Sequence, residues 1–178
     1  NRITSAGHSS NTNVSGSTVE LNKIYNESNL ETMSRMDDKF IDLTVTSPPY
    51  DGLRTYKGYS FPFEDIAKEL YRVTKDGGIV VWVVGDATID GSESGTSFKQ
   101  ALYFKTVGFN LHDTMIYQKK GGLNSGSLQS YQQKFEYMFV LSKGKIKTFN
   151  LIKDRKNIHI ETRTKLKKQK DGTYKEQI

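Results

Sequence analysis

Residues 46–50 read Thr46-Ser47-Pro48-Pro49-Tyr50, directly after the apolar run Ile41-Asp42-Leu43-Thr44-Val45. The chain has three prolines, and two of them stand side by side here. Proline has no N–H and a fixed φ, so a Pro-Pro pair cannot continue a central sheet ladder. It can build a stiff loop whose carbonyl oxygens face no competing local donors. The Ser47 hydroxyl and the Pro48 carbonyl are then two acceptors on one rigid segment, with the Tyr50 ring beside them. A flat, hydrogen-bonding group such as a nucleobase suits that loop. An exocyclic amine on cytosine or adenine is a poor nucleophile, because its lone pair is delocalised into the ring. Acceptors that hold its two N–H groups draw the nitrogen toward tetrahedral geometry and free that pair. Alignment and proton handling of this kind are ordinary catalytic effects. Alkylation of a base amino group is therefore the chemistry the loop suits, with Tyr50 stacked on a base flipped out of its duplex. A second polar group, Asp86 after Gly85, could accept from Ser47 and relay a proton. A plain tight turn at 47–50 and a helix cap at Asp86 are the alternatives.

Both groups need strands to carry them. The stretch 41–46 is apolar and β-branched apart from Asp42, which predicts a strand of the buried kind. Ile66, Leu70 and Val73 fall at helical spacing within 63–75, and Asp76-Gly77-Gly78 ends that helix. Residues 79–84 are an unbroken apolar strand with Trp82 in its core, stopping at Gly85-Asp86. Strand, helix and strand make a βαβ unit. In an open α/β sheet, ligands bind at the carboxyl ends of the strands, where both polar groups fall. Upstream, 20–25 reads as a short strand, and Asn29 as the cap of a short helix. Downstream come a Gly/Ser-rich loop over 90–96, a helix through Phe98, Leu102 and Phe104, and a strand over 109–117. A basic connection over 119–133 leads to a strand over 135–141. No helical pattern joins the last two strands, so they are expected to pair antiparallel. The fold class is α/β, a mostly parallel sheet with an antiparallel edge hairpin. Gly91 to Thr96 superficially suits phosphate cradling but has no Walker lysine, so a loop rimming the site is expected.

Three regions follow from composition: a flexible Ser/Thr/Asn/Gly segment over 1–19, a catalytic region over 20–150, and a basic segment over 151–178. The last holds nine Lys/Arg against four acids, +5 of the chain's net +6. A local basic patch favours a polyanion, because each neutralised phosphate releases counterions. A solvated tail is the plainer alternative. The chain has no cysteine, which excludes disulfides, thiolate zinc sites and a thiolate nucleophile. His8, His112 and His159 show no metal-ligand spacing, so no metal is expected. No stretch reaches transmembrane length and no secretory signal is visible, so a cytoplasmic, non-membrane protein is expected.

Asp42 to Tyr50, Glu69 to Gly78, Val83-Val84-Gly85-Asp86, Gly108-Phe109-Asn110-Leu111 and Phe135 to Lys145 together resemble the catalytic half of amino-group DNA methyltransferases. Their order resembles the beta class, in which the catalytic motif precedes the cofactor motif. The resemblance spans about residues 21–150. It implies a Rossmann-like fold, S-adenosylmethionine as methyl donor, and a flipped base as acceptor. It implies Ser47, Pro48, Pro49, Tyr50 and Asp86 as catalytic, with Thr46 and Ser47 as candidate cofactor contacts. Ser-Pro-Pro-Tyr is typical of enzymes that modify N4 of cytosine, and Asp-Pro-Pro-Tyr is more usual for N6 of adenine. Candidate DNA contacts are Arg54, Lys57, Lys119 and Lys120. Arg155 and Lys156 belong to a segment that resembles the start of a target-recognition region. The implied partners are double-stranded DNA and a cognate restriction endonuclease.

One departure stands out. The family holds its methyl donor mainly through a Phe-x-Gly-x-Gly loop, and no such motif occurs here. The sequence is therefore expected to be an incomplete fold: a catalytic-half fragment, one piece of a split enzyme, or an inactive relic. Three function classes stay open at this point: a DNA amino-methyltransferase, a catalytically silent DNA-binding module, and an RNA or protein-amide methyltransferase.

Overall fold

The computed structural model describes residues 18–49, 61–120, 133–150 and 165–177. It separates into two compact units, residues 1–148 and 149–178. The first unit holds α1 (Asn29–Ser34), β1 (Ile41–Thr46), α2 (Phe63–Val73), β2 (Thr74–Val84), β3 (Thr88–Ile89), β4 (Ser92–Glu93), α3 (Thr96–Val107), β5 (Asn110–Gln118) and β6 (Phe135–Ser142).

Four of these strands form one sheet in the order β1-β2-β6-β5. β1 pairs parallel with β2, and β6 runs antiparallel to both β2 and β5. Strands β1, β2 and β5 thus point the same way, and the β5–β6 hairpin forms one edge. The α/β sheet carries the expected antiparallel edge hairpin and has β1–α2–β2 as its βαβ unit. Where a mostly parallel sheet was expected, three of its four strands point the same way but only β1 and β2 pair parallel. The alternation along β2 orders the core. Val80, Trp82 and Val84 are at most 1% exposed and meet Ile66, Leu70 and Phe104 from α2 and α3. Phe104 meets the Trp82 ring edge-on at 5.0 Å between centroids, a favoured aromatic geometry. The Trp82 indole N–H donates to Gln100 Oε1 at 2.8 Å, so the one polar atom of this buried ring is satisfied.

Arg72 near the end of α2 ties the helices together. Its guanidinium donates to the Met33 and Met36 carbonyls at 2.7 and 2.9 Å and to the Asp38 and Glu69 carboxylates. Hydrogen bonds to Glu69 and Asp38 push its pKa further up. Lys143 performs a similar service at the C-terminus of α2. Its ammonium donates to the Tyr71 and Thr74 carbonyls at 2.6 and 2.9 Å. A cation there satisfies the orphan carbonyls of the last turn. Burial pushes the Lys143 pKa down.

Several expectations need correction. Residues 20–25 make no strand. Asn22 adopts a positive φ of 61° in a turn, and Ile24 is 96% exposed, leaving nothing for a strand to bury. Ser28, not Asn29, is the N-cap position of α1, and it makes no side-chain cap bond. The α2 helix stops at Val73, two residues short of the expected end, because the backbone turns extended at Thr74. β2 therefore starts before the Gly-Gly pair. The register passes from Ile41↔Thr74 to Leu43↔Ile79, so Lys75 to Gly78 bulge out of the β1 ladder. Gly77 makes the bulge possible with φ +82°, which other residues adopt only under strain. The loop expected over 90–96 holds a short strand, β4, which pairs antiparallel with β3 just ahead of it. β1 is not a buried strand: among the described strands it forms an edge of the sheet, with Leu43 and Val45 58% and 66% exposed.

The second unit shows β7 (Lys165–Lys168) and β8 (Tyr174–Gln177), paired antiparallel. Composition had indicated only a basic segment there.

Candidate active site

The Thr46-Ser47-Pro48-Pro49 segment leaves the carboxyl end of β1. Pro48 is buried, Thr46 and Pro49 are half-buried, and Ser47 is exposed. All four line a cavity of about 500 Å³, within the range typical of small-ligand sites. Its apolar wall comes from Met33, Met36, Phe61, Ile66, Leu70 and Trp82, and its polar wall from Tyr25, Glu27, Asn29 and Thr32. The helices position these walls. α1 packs on α2, and α2 packs against β2 beside β1. Glu27 is held in place by the Thr32 hydroxyl at 2.7 Å and by the Arg35 guanidinium. Those two donors lower the Glu27 pKa, the arginine more than the threonine. The polar wall was missed from sequence. Its only signal is the polar run Asn26-Glu27-Ser28-Asn29 before a short helix, twenty residues ahead of Ser47, and no spacing rule links the two.

Asp86 sits just beyond β2, at the same end of the sheet as Ser47, because β1 and β2 are parallel. It is 8% exposed and fully engaged at the N-terminus of α3. Oδ1 accepts from the Ser97 backbone N–H at 2.9 Å and the Ser94 hydroxyl at 3.1 Å, and Oδ2 accepts from the Ser97 hydroxyl. A carboxylate at this position complements the helix dipole and satisfies an orphan N–H. Ser47 is not among its partners, so the expected Ser47–Asp86 hydrogen bond is not formed.

Lys119 and Lys120 follow β5, which runs with β1 and β2, so they lie at the same end of the sheet as Ser47. Three strand spacings, roughly 14 Å, separate β5 from β1. Lys119 is ion-paired with Glu136, and Lys120 is exposed. Tyr50, Arg54, Lys57, Arg155 and Lys156 lie outside the described residues.

The mixed sheet with its covering helices has counterparts among solved structures. PvuII DNA methyltransferase (cytosine-N4-specific) matches with a TM-score of 0.53 and 22% identity, over 66% of this chain and 47% of that one. The TTHA0409 protein of Thermus thermophilus, solved in complex with S-adenosyl-L-methionine, matches with a TM-score of 0.51 and 20% identity, over 70% of this chain and 56% of that one. These likenesses define the class as the Rossmann-like methyltransferase fold, here incomplete. A family model for N6/N4 methyltransferases, described as DNA methylase, matches residues 41–178, and the chain belongs to that family. It is 68% identical over 120 residues to the orphan methyltransferase M.BamHII of Bacillus amyloliquefaciens, covering 67% of this chain and 45% of that protein. It is 28% identical over 113 residues to the type II methyltransferase M.BglII of Bacillus subtilis, covering 59% of this chain and 31% of that protein. The chain thus spans less than half the length of these two relatives. No helix among the described residues is long and apolar enough to cross a membrane.

Proposed function

We propose that this chain supplies the catalytic loop of a DNA methyltransferase that modifies the exocyclic amino group of a flipped base, N4 of cytosine in preference to N6 of adenine. The observation that carries the proposal is the Ser47-Pro48-Pro49 segment, rigid by composition, at a strand's carboxyl end on the rim of a cavity. The Ser47 hydroxyl and Pro48 carbonyl accept the two amino hydrogens and turn the nitrogen lone pair out of the ring. Pro49 and Tyr50 hold the base face, and the apolar wall excludes water. Asp86 acts as a positioning residue, since its bonds to Ser94 and Ser97 hold the start of α3 and the segment before it. The preference for cytosine rests on serine at position 47.

S-adenosylmethionine, when bound, supplies the methyl group. The cavity suits the group: an apolar wall faces a polar one in which the Glu27 carboxylate is kept ionised. Thr46 and Ser47 would hold it from the β1 side, and Glu27 and Asn29 from the α1 side. Lys119 and Lys120, with Arg54, Lys57, Arg155 and Lys156, would contact DNA phosphate. A cognate endonuclease is no part of the proposal, because the 68% identical relative is named an orphan methyltransferase.

The test is transfer of labelled methyl from S-adenosylmethionine to duplex DNA by the protein expressed from its full reading frame. Ser47→Ala is expected to lower transfer at least about a hundredfold with DNA affinity kept. Duplex bound but never labelled would favour a silent DNA-binding module instead, and label in RNA or protein alone would move the substrate class.

A further inference from the structure

The β7–β8 hairpin carries a charge arrangement that is costly in isolation. Lys167 lies directly opposite Lys175 in the antiparallel ladder. Directly opposed Cα atoms are about 5 Å apart, and like charges so placed destabilise a strand pair. A two-stranded hairpin alone is already marginal. No ion pair to either lysine occurs among the described residues. Asp171 is committed to the turn, where it accepts from the Thr173 N–H at 3.0 Å and the Thr173 hydroxyl at 2.6 Å. Those bonds lower its pKa. Lys167 and Lys175 are both exposed. Over 165–177 the chain carries five lysines against two acids, half of the total net charge of +6. Lys168 opposes Tyr174, one position along the ladder and so on the other face.

We infer that the Lys167–Lys175 face of this hairpin is a docking surface for the sugar-phosphate backbone of double-stranded DNA. The inference rests on the DNA-directed function proposed above and names the element that would grip the duplex. DNA supplies what the hairpin lacks, a row of fixed negative charge. Each strand offers one phosphate per about 3.4 Å of helix axis, so two ammonium groups on adjacent strands can reach neighbouring phosphates. A two-stranded ribbon is also narrow enough to follow a DNA groove. Neither lysine reads sequence in this arrangement, so binding through this face is sequence-independent.

The experiment measures affinity for a short DNA duplex against salt concentration, using the protein from its full reading frame and its Lys167→Gln/Lys175→Gln double variant. The salt slope of log K is expected to fall by about 1.8 in the double variant. Between 50 and 200 mM salt the variant should therefore lose about twelvefold less affinity than the parent. Lys168→Gln, on the other face, is expected to leave the slope within error of the parent. The double variant removes a repulsive pair, so its melting temperature is expected to stay level or rise, which separates lost contact from lost folding. Equal slopes for parent and double variant overturn the inference, and so does an equal loss from Lys168→Gln. A parent chain that binds only duplex RNA overturns it in favour of that partner. A parent chain that binds no duplex removes the methyltransferase proposal as well, whereas binding that the double variant leaves untouched removes the hairpin alone.

Discussion

The two faces of the four-stranded sheet are built from similar residues and have different surroundings. On one face Val80, Trp82, Val84, Phe139 and Leu141 are at most 3% exposed beneath α2 and α3. The register places Leu43, Val45, Ile79, Val81, Val83, Met138, Val140 and Met115 on the other. There Leu43, Val45 and Met115 are 58%, 66% and 50% exposed, and the rest are partly exposed. None of α1, α2 and α3 packs on that face. Strands of predominantly parallel sheets are apolar on both sides because both sides are normally covered. Apolar pattern therefore reports what a strand is suited to bury, and coverage decides how much that burial stabilises. Stability should reside in the helix-covered face, and the open face should be tolerant in this chain.

Adjacent valines of β2 break or sharpen that contrast directly. Val80→Ala, on the covered face, is expected to cost about 2 kcal/mol from lost burial and cavity formation. Val81→Ala, one residue on and facing the other way, should cost under about 1 kcal/mol. Urea unfolding measures both, and equal losses would mean that the faces do not differ. Larger still should be Trp82→Ala, at about 3–5 kcal/mol. Gln100→Leu should follow at about 1–3 kcal/mol, because it leaves the buried indole N–H unpaired.

The Gly77 bulge comes next. A Cβ there would lie 2.5 Å from Lys147 Cγ and 3.0 Å from the Lys145 carbonyl, on a backbone at φ +82°. Gly77→Ala is expected to cost roughly 1–3 kcal/mol, and thermal unfolding would show it. The smallest effect concerns Glu27 at the cavity. Its folded pKa lies below its unfolded value, so its ion pair with Arg35 stabilises the protein above the unfolded pKa. That contribution is lost as pH falls through the folded pKa. Glu27→Gln should remove this part of the acid sensitivity while leaving stability near pH 9 little changed beyond the lost pair. An unaltered acid-unfolding profile would show that Glu27 is not held ionised.

Local pattern carried the β1–α2–β2 unit well. Ile66, Leu70 and Val73 sit at helical spacing, and the run from Ile79 to Val84 names its own strand. What stayed illegible depends on non-local pairing. Leu43 and Val45 look the same in sequence whether a strand is central or at an edge. Lys167 and Lys175 pair across a turn that periodicity cannot register. The site divides the same way. Proline chemistry marked Ser47 and Pro48, and the end of a strand marked Asp86, but not the groups that Asp86 bonds. Its hydroxyl partners Ser94 and Ser97 lie eight and eleven residues further on. Glu27 and Asn29 reach the cavity only because α1 packs on α2.

The central claim is that the Ser47-Pro48-Pro49 loop holds a base amino group for methylation. Nucleoside analysis by mass spectrometry tests it most directly, on duplex DNA incubated with the protein from its full reading frame and S-adenosylmethionine. The account predicts N4-methylcytosine, abolished by Ser47→Ala while duplex binding persists. Duplex DNA carrying no methylated amino group, or unchanged methylation by Ser47→Ala, would contradict it.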